Sequence, residues 1–481
     1  MLEHVKSAAP LKVGYLPTHR HGVFRSEVAV RQKERIERKL QQLGLEYVGL
    51  DWLNEPGLLY EPTDAEAVVE RFRREGVDAV FAAHCDFGNE VPVGRVCKGL
   101  GKPILLWGPR DEAPGPDGTR DRDTQCGLFA TSKLLRRLGL PFTYAPNCGL
   151  DDGVFARVLD VFLRAANVHR SVRGARIGQI STRPTPFTST MCNESELLER
   201  FDVEVVPTPL PDITADVVPR ADSGEVSEEL AALRQRMDTG EVEERYVRRL
   251  LSLKLVLQEW AVQEKLDALA IHCWSALAVP LGIVPCAVNG LLAELGLPVA
   301  CETDVNGAVT SLALQAAAMA ENPVFFADLT IRHPENDNAE LLWHCGPFPL
   351  ALADAEAEPS LGGHWMRPGQ QPGVGHFRIR GGDVTLGRFD GDNGEYRFFM
   401  GHAVGCKGPR TRGTYLWVQV ENWPLWEERL IYGPYIHHIV GVHGKLAPPL
   451  YEGARYLGIE PEAVEPTGEQ IRAYLRGQAE L

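Results

Sequence analysis

The sequence predicts an α/β protein with two doubly wound, Rossmann-like parallel-sheet domains, followed by a small antiparallel β-barrel domain. Short apolar runs of strand type alternate with helical segments over roughly the first 170 residues. The alternation restarts near residue 172, and after residue 375 it gives way to alternating apolar and polar residues separated by turns. We therefore predict domains at residues 1–171, 172–350 and 351–481.

Length, charge and cysteine spacing exclude several classes of protein. A chain of 481 residues is too long for one core. Its formal net charge of −15 argues against a nucleic-acid or anionic-membrane partner. No apolar run approaches the roughly 20 residues of a membrane helix, and residues 1–11 lack a signal-peptide pattern. Ten scattered cysteines without a CxxC pair form neither a zinc site nor a disulfide framework. We expect a cytoplasmic protein.

In the first domain, polar residues follow the predicted strands. The strands are at 11–17, 45–50, 77–83 and 103–107, and the clearest helices are at 26–43 and 64–75. Ligand crevices form at the carboxyl ends of such strands. The candidates here are Arg25 after the first strand and Cys85 and Asp86 after the third. Ordinary solvated turns explain any one of these loops equally well.

The second domain begins with strands at 176–180, 203–207 and 268–272. A long helical region covers 222–264 with a break at Gly240, and a further helix covers 286–295. Trp274 follows the third of these strands, and its flat apolar ring suits the C–H face of a sugar. We therefore include Trp274 among the candidate pocket residues.

Two carboxylates dominate the end of this domain. Glu302 and Asp328 each follow a short apolar run, and residues 308–319 between them have helical character. We interpret the unit as strand, helix, strand, a parallel crossover that places both carboxylates on one rim. A single strand-end carboxylate often only caps a helix or closes a turn. Two of them, with His344 soon after, favour a divalent metal or an acid/base pair.

The donor types restrict the metal. Oxygen-rich ligation with one imidazole suits Mn²⁺ or Mg²⁺ better than a thiol-bound zinc. The glycine-rich phosphate loops of nucleotide-binding proteins are missing, so nucleotide cofactors are not indicated. Beyond a linker rich in Pro and Gly at 347–375, hairpin strands are predicted at 376–380, 384–389, 396–400 and 415–420. His437 and His438 come next, before a helix at 448–457.

Three segments resemble the L-fucose isomerase family, and the L-arabinose isomerases share the architecture more distantly. They are Ala-Cys-Glu-Thr-Asp-Val-Asn-Gly at 300–307, Val-Phe-Phe-Ala-Asp at 324–328 and Tyr-Gly-Pro-Tyr-Ile-His-His-Ile-Val-Gly-Val-His-Gly at 432–444. The resemblance implies that Glu302 and Asp328 bind Mn²⁺ and act as the acid/base pair. It implies His438 as the third metal ligand, with His437 as the alternative. Mg²⁺ and Co²⁺ are alternative ions.

The resemblance also implies an activity and an assembly. The sequence is similar to those of aldose–ketose isomerases, which act on open-chain sugars such as L-fucose or D-arabinose through a cis-enediol. The predicted substrate-binding residues are Arg25, Cys85, Asp86, Trp274, His344 and His437, with His344 also an accessory ligand candidate. A homo-oligomer, trimer or hexamer, with sites at subunit contacts is expected. The family's aromatic residue before Phe-Gly-Asn-Glu at 87–90 is absent, with Cys85 about where it would stand.

Two other functions fit the same features. A non-catalytic sugar-binding protein can use paired α/β domains, although binding alone needs neither a metal nor an acid/base pair. A metal-dependent sugar lyase or epimerase can act through the same enediolate. Metal content separates the first alternative from an isomerase, and product analysis separates the second.

Overall fold

The computed structural model describes residues 6–273, 275–366 and 369–481. These residues form two compact units. One contains Ala9–His169 and Glu469–Leu481, and the other contains Arg170–Gly468 with the short segment ending at Ala8. The predicted fold class is confirmed, because two parallel sheets with helices are followed by a closed antiparallel barrel. Among the described residues, no helix is long and apolar enough to cross a bilayer.

The unit that begins at Ala9 is organised around a five-stranded parallel sheet. Its strands are β1 (Lys12–Thr18), β2 (Glu46–Val48), β3 (Ala79–His84), β4 (Ile104–Trp107) and β5 (Thr143–Tyr144). The helices of this part of the chain are α1 (Ser26–Gln42), α2 (Ala65–Arg74), α3 (Glu90–Leu100), α4 (Thr124–Arg137) and α5 (Gly153–Val172). The strand order is β2-β1-β3-β4-β5. All six residues of β3 are buried, as expected for a parallel strand with both faces covered.

A second parallel sheet begins the other unit. Its strands are β6 (Arg176–Ile180), β7 (Glu204–Thr208), β8 (Ala268–Ile271) and β9 (Val299–Ala300), in the order β7-β6-β8-β9. The helices are α6 (Glu194–Phe201), α7 (Leu210–Thr214), α8 (Val217–Arg220), α9 (Gly224–Arg234), α10 (Glu244–Glu264), α11 (Ala278–Leu281), α12 (Cys286–Glu294) and α13 (Val305–Ala317). The predicted break at Gly240 falls between α9 and α10.

The remaining strands build the barrel and its flanks. They are β10 (Phe325–His333), β11 (Asn336–His344), β12 (Ser360–Gly363), β13 (Pro372–Arg378), β14 (Asp383–Asp392), β15 (Glu395–Cys406), β16 (Thr414–Gln419), β17 (His438–His443) and β18 (Glu460–Ala463). The last helices are α14 (Trp423–Tyr432), α15 (Ala447–Leu457) and α16 (Gly468–Leu475). Strands β16, β11, β10, β17, β14 and β15 pair antiparallel in that order, and β15 returns to β16 to close the barrel.

The predicted parallel crossover between the two carboxylates is wrong. Strand β9 belongs to the second parallel sheet, whereas β10 pairs antiparallel with β11 and β17 in the barrel. Between them, all thirteen residues of α13 are buried, because the helix packs against β8 of the parallel sheet and against β14 and β17 of the barrel. Asp328 and His344 are therefore barrel residues. A short apolar run begins either kind of strand, so local pattern alone does not choose the partner.

Candidate functional site

Three neighbouring barrel strands bring Asp328, His344 and His438 together. The antiparallel register of β10 and β17 sets Asp328 directly opposite His438. On the other side of β10, Asp328 pairs with Trp343, the residue before His344. These residues are far apart in the sequence, but the register of the three strands places their side chains at one level of the barrel.

Glu302 reaches the same place from the second parallel sheet. After β9 the chain makes a single 3-10 turn, and Glu302 and Thr303 have φ angles of 54° and 57°. Two consecutive non-glycine residues in the left-handed region are rare and concentrate at functional sites. Asp304 then starts α13 by accepting a hydrogen bond from the Gly307 backbone N–H at 2.9 Å. The turn is thus anchored by the helix that follows it.

Two carboxylate oxygens and two imidazole nitrogens converge. Glu302 Oε2 lies 3.4 Å from His438 Nε2 and 3.7 Å from His344 Nε2. Asp328 Oδ1 lies 3.7 Å from His438 Nε2 and 3.8 Å from His344 Nε2. These separations exceed an ordinary hydrogen bond. They match two ligands that each lie about 2.1 Å from one shared ion. Glu302, His344 and His438 are buried, and Asp328 is partly exposed.

The electrostatics of this cluster favour positive charge. Burial opposes the ionisation of Glu302, but His344 and His438 outweigh it and hold the pKa of Glu302 well below its usual range. Burial also opposes protonation of His438, yet Asp304 and Glu302 raise the pKa of His438 to about 9. The pKa of His344 is raised well above its usual value, because Asp328 and Glu302 overcome the effect of burial. The carboxylates thus attract protons or another cation.

A buried charge network behind His438 was not found from the sequence. His438 Nδ1 donates to Asp304 Oδ2 at 2.8 Å. Arg388 donates to both oxygens of Asp304 and, from Nη2, to Asp390 Oδ2 at 2.6 Å. All four side chains are buried. The network fixes the proton on His438 Nδ1 and leaves Nε2 directed at the two carboxylates. Asp304 could have been recognised as a helix cap, but the pairing with Arg388 joins elements 84 residues apart.

His344 has the opposite arrangement of ring nitrogens. The Cys345 backbone N–H donates to His344 Nδ1 at 2.8 Å. In a neutral ring the proton then sits on Nε2, the atom that faces Glu302 and Asp328. In its neutral form His438 therefore offers a lone pair to the centre of the cluster, whereas neutral His344 offers an N–H donor.

The residues present fit a divalent cation. In the described part of the chain, Asp328 Oδ1 and the Nε2 atoms of His344 and His438 are buried without a hydrogen-bond partner. Carboxylate oxygens with one lone-pair imidazole are the donors that Mn²⁺ and Mg²⁺ accept. Cys273 donates to the other oxygen of Glu302, Oε1, at 3.4 Å. The thiol thus uses the oxygen that does not face the imidazoles.

His437 lies beside this cluster on its exposed side. Its ring centroid is 4.4 Å from that of His438 and 5.8 Å from that of Phe187. Asp328, His437 and His438 can offer ligand atoms within 4.8 Å of one another. Burial lowers the pKa of His437, and the neighbouring His438 lowers it further. Of these two histidines, His438 faces both carboxylates, whereas His437 is exposed.

The remaining predicted substrate residues lie elsewhere in the chain. Trp274 lies outside the described residues. Arg25, Cys85 and Asp86 belong to the unit that begins at Ala9. Arg25 is exposed and paired with Asp121. Cys85 is fully buried, and burial raises the pKa of its thiol far above the usual value. Asp86 is also fully buried. Their role toward a substrate stays a prediction.

Comparison with known proteins identifies the class. The family model described as fucose/sulfoquinovose isomerase, N-terminal domain, matches residues 14–173. A sulfoquinovose isomerase from Priestia aryabhattai is 24% identical over 406 residues, which cover 82% of this chain and 88% of the relative. One from Alkalicoccus urumqiensis is 25% identical over 397 residues, covering 82% and 86%. The predicted enzyme class, an aldose–ketose isomerase, is confirmed by these relatives. The predicted resemblance to the L-fucose isomerase family is confirmed by the match of its N-terminal domain to residues 14–173 and by these relatives.

Solved structures add no functional information. A periplasmic solute-binding protein of an ABC transporter from Actinobacillus succinogenes 130z, with bound D-allose, aligns with 11% identity and a TM-score of 0.16. The alignment covers 65% of this chain and 92% of that protein. A likeness this weak carries no argument about either fold or ligand.

Proposed function

We propose that the protein is a metal-dependent aldose–ketose isomerase, with sulfoquinovose as the first substrate to test. The observation that carries the proposal is that Glu302 Oε2 and Asp328 Oδ1 each lie within 3.8 Å of the Nε2 atoms of both His344 and His438. The names of the relatives support sulfoquinovose. L-Fucose and D-arabinose remain the candidates that the motifs imply. The homo-oligomer also remains a prediction, which sedimentation of the purified protein would test.

Glu302, Asp328 and His438 would hold the ion, which we propose to be Mn²⁺, with Mg²⁺ and Co²⁺ as alternatives. When bound, such an ion polarises neighbouring sugar oxygens and makes the C2 proton more acidic. Two carboxylates, those of Glu302 and Asp328, already lie close to His438 Nε2, where the ion would bind. Asp304 keeps one proton of that ring on Nδ1, so only the Nε2 proton has to leave when an ion binds there.

The carboxylates would carry the proton transfers. One of them accepts the C2 proton, and the C–H electron pair forms the C1=C2 bond of a cis-enediol. The same proton is returned to C1, while the proton of the C2 hydroxyl passes to O1, which leaves the ketose. Glu302 can accept a proton because its low pKa keeps it ionised at neutral pH. His344 Nε2–H faces both carboxylates and can stabilise the one that is ionised.

The test compares the purified wild type with Glu302→Gln, which removes charge but keeps shape. Metal content after loading with Mn²⁺ and ketose formation from sulfoquinovose, L-fucose and D-arabinose are measured. Wild type should hold about one ion per chain and form ketose, and Glu302→Gln should lose both, with at least about a 1000-fold drop in rate. Glu340→Gln is the matched control, because Glu340 is a buried glutamate outside the cluster.

The other outcomes separate the alternatives. Metal without ketose would favour a lyase or an epimerase that uses the same enediolate. No metal in the presence of Mn²⁺, combined with sugar binding, would leave the non-catalytic sugar-binding protein. Equal losses in Glu302→Gln and Glu340→Gln would mean that a buried glutamate is needed for folding and not for the metal.

A further inference from the structure

An open cavity of about 510 Å³ borders the cluster of Glu302, Asp328, His344 and His438. It is lined mainly by the loop after β6, here called the β6 loop (residues 181–192), together with Glu194 at the start of α6 and Thr303. Four of the lining side chains are threonines, which offer hydroxyls as both donors and acceptors. The volume is in the range of small-molecule sites. A hexose therefore fits both the size and the chemistry of this cavity.

The cavity and the cluster share a wall. Thr190, which lines the cavity, donates from Oγ1 to the carbonyl oxygen of Glu302 at 3.4 Å. Phe187 of the same loop packs its ring 6.5 Å from that of His438. Glu302 and Thr303 are consecutive residues with left-handed backbone conformations. The side chain of Glu302 lies in the cluster, and Thr303 lines the cavity. A sugar whose C1 and C2 lie at the cluster can thus extend its other end along the β6 loop.

Arg183 places a positive charge in the wall of this cavity. Among the described lining residues it is the only cation. Its Nη1 donates to two backbone carbonyls, Pro184 O at 3.4 Å and Thr185 O at 3.2 Å. Within the described residues no carboxylate forms an ion pair with it, although Glu194 lines the same cavity and the chain carries a net charge of −15. A guanidinium that keeps free donors in an acidic protein suits an anionic ligand, because its fork matches the oxygens of such a group.

We infer that the cavity binds the end of the aldose remote from C1 and C2, and that Arg183 recognises an anionic group there. The group belongs to the tetrahedral oxyanions, of which a sulfonate and a phosphate monoester are the two candidates. The inference rests on the proposed function, since it assigns the substrate class of the same site. Arg183 is a specificity residue in this arrangement. The threonine hydroxyls bind the neutral part of the sugar.

The test separates charge recognition from catalysis. Values of kcat/KM are measured for sulfoquinovose, glucose 6-phosphate and the uncharged 6-deoxyglucose with wild type, Arg183→Gln, Arg183→Lys and Arg245→Gln. Arg245 is an exposed arginine of α10 paired with Glu243, which makes Arg245→Gln the matched control. Wild type should prefer an anionic sugar by about 100-fold, and Arg183→Gln should lose that preference while 6-deoxyglucose changes less than about threefold. Arg183→Lys should restore part of the preference.

The two anionic sugars identify the oxyanion, since the one turned over faster by wild type shows which group the cavity was built for. Unchanged preference in Arg183→Gln, or equal losses on all three sugars at normal metal content, would overturn the inference. Titration calorimetry distinguishes its failure from failure of the proposed function. If wild type forms no ketose but binds an anionic sugar and Arg183→Gln does not, Arg183 keeps its role and the isomerase proposal falls.

Discussion

Two buried histidine–aspartate pairs of the described residues, His19 with Asp86 and His438 with Asp304, differ in the contacts of the second ring nitrogen. His19 Nδ1 lies 2.5 Å from Asp86 Oδ2, and its Nε2 lies 3.2 Å from Ser26 Oγ. His438 Nδ1 lies 2.8 Å from Asp304, and its Nε2 faces two carboxylates at distances too long for a normal hydrogen bond. The first ring is fully satisfied by the protein, and the second is not.

The aspartates differ in the same way. Asp86 accepts two backbone N–H groups, from Arg20 at 3.0 Å and Gly88 at 2.8 Å, so it ties together the loops after β1 and β3. Asp304 accepts one backbone N–H, from Gly307 at 2.9 Å, and in addition the guanidinium of the buried Arg388. A histidine–aspartate pair is therefore a structural element by itself. It indicates a ligand site only where the other nitrogen joins further donors that the protein leaves open.

The largest expected difference lies between the two histidines. His438→Gln should lose Mn²⁺ binding and reduce ketose formation at least about 1000-fold, because the lone pair directed at the carboxylates is gone. His19→Gln should keep the affinity for Mn²⁺ within about threefold, since both of its nitrogens serve the fold. Titration calorimetry with Mn²⁺ measures both. Loss of Mn²⁺ binding in His19→Gln with the fold intact would remove the distinction between the pairs.

The aspartates should differ next. Asp304→Asn should weaken Mn²⁺ binding by about 100-fold, because the imidazole loses the charge that orients it. Asp86→Asn should leave Mn²⁺ affinity unchanged and lower the free energy of unfolding, since it weakens contacts to His19 and two backbone groups. Calorimetry and urea unfolding on both variants give the two readouts. The same loss of affinity in both variants would show that the charge network behind His438 has no special role.

The stability of the unit that begins at Ala9 should depend on pH through a buried histidine outside the candidate site. His84, at the end of β3, is fully buried, and burial lowers its pKa to about 4. The unfolded chain takes up a proton near pH 6.5 and the folded protein does not, so stability falls as the pH drops from about 6.5 to 4. The loss should be about 3 kcal/mol in wild type relative to His84→Gln. Urea unfolding at pH 7 and pH 4 measures it, and an equal pH dependence in both proteins would contradict the assignment.

The sequence predicted the helices and strands better than it predicted which strands pair with each other. The strands of the parallel sheets, the break between α9 and α10 and the barrel class are visible in local pattern, because burial and turn chemistry act over a few residues. The antiparallel pairing of β10 was missed, since strand partners are chosen by contacts distant in sequence.

The same limit applies to the candidate site. Glu302, Asp328 and His438 were named from motifs, and the structure brings these three together with His344. Arg388 was missed because a lone arginine in a strand carries no local mark of its partner Asp304. The proposed role of Arg183 could not be predicted from the sequence, since the cavity that Arg183 lines forms only in the folded β6 loop. The register of β10 and β17, which sets His438 and not His437 opposite Asp328, could not be read from the sequence.

The smallest expected effect tests what sets the pKa of a buried glutamate in this protein. Glu302 keeps its pKa low because two imidazoles outweigh burial, whereas burial raises the pKa of Glu340 on β11 to about 7, against a weaker effect of Arg332. For an acid with a raised pKa, stability is lost as the pH rises from about 4.3 to about 7, because the unfolded chain ionises first. Glu340→Gln should therefore stabilise the protein at pH 8 by about 1.5 kcal/mol, less than the full shift because its amide is also buried. The gain should shrink as the pH falls toward 4 in urea unfolding. A gain independent of pH would mean that packing, and not the buried charge, limits stability at this position.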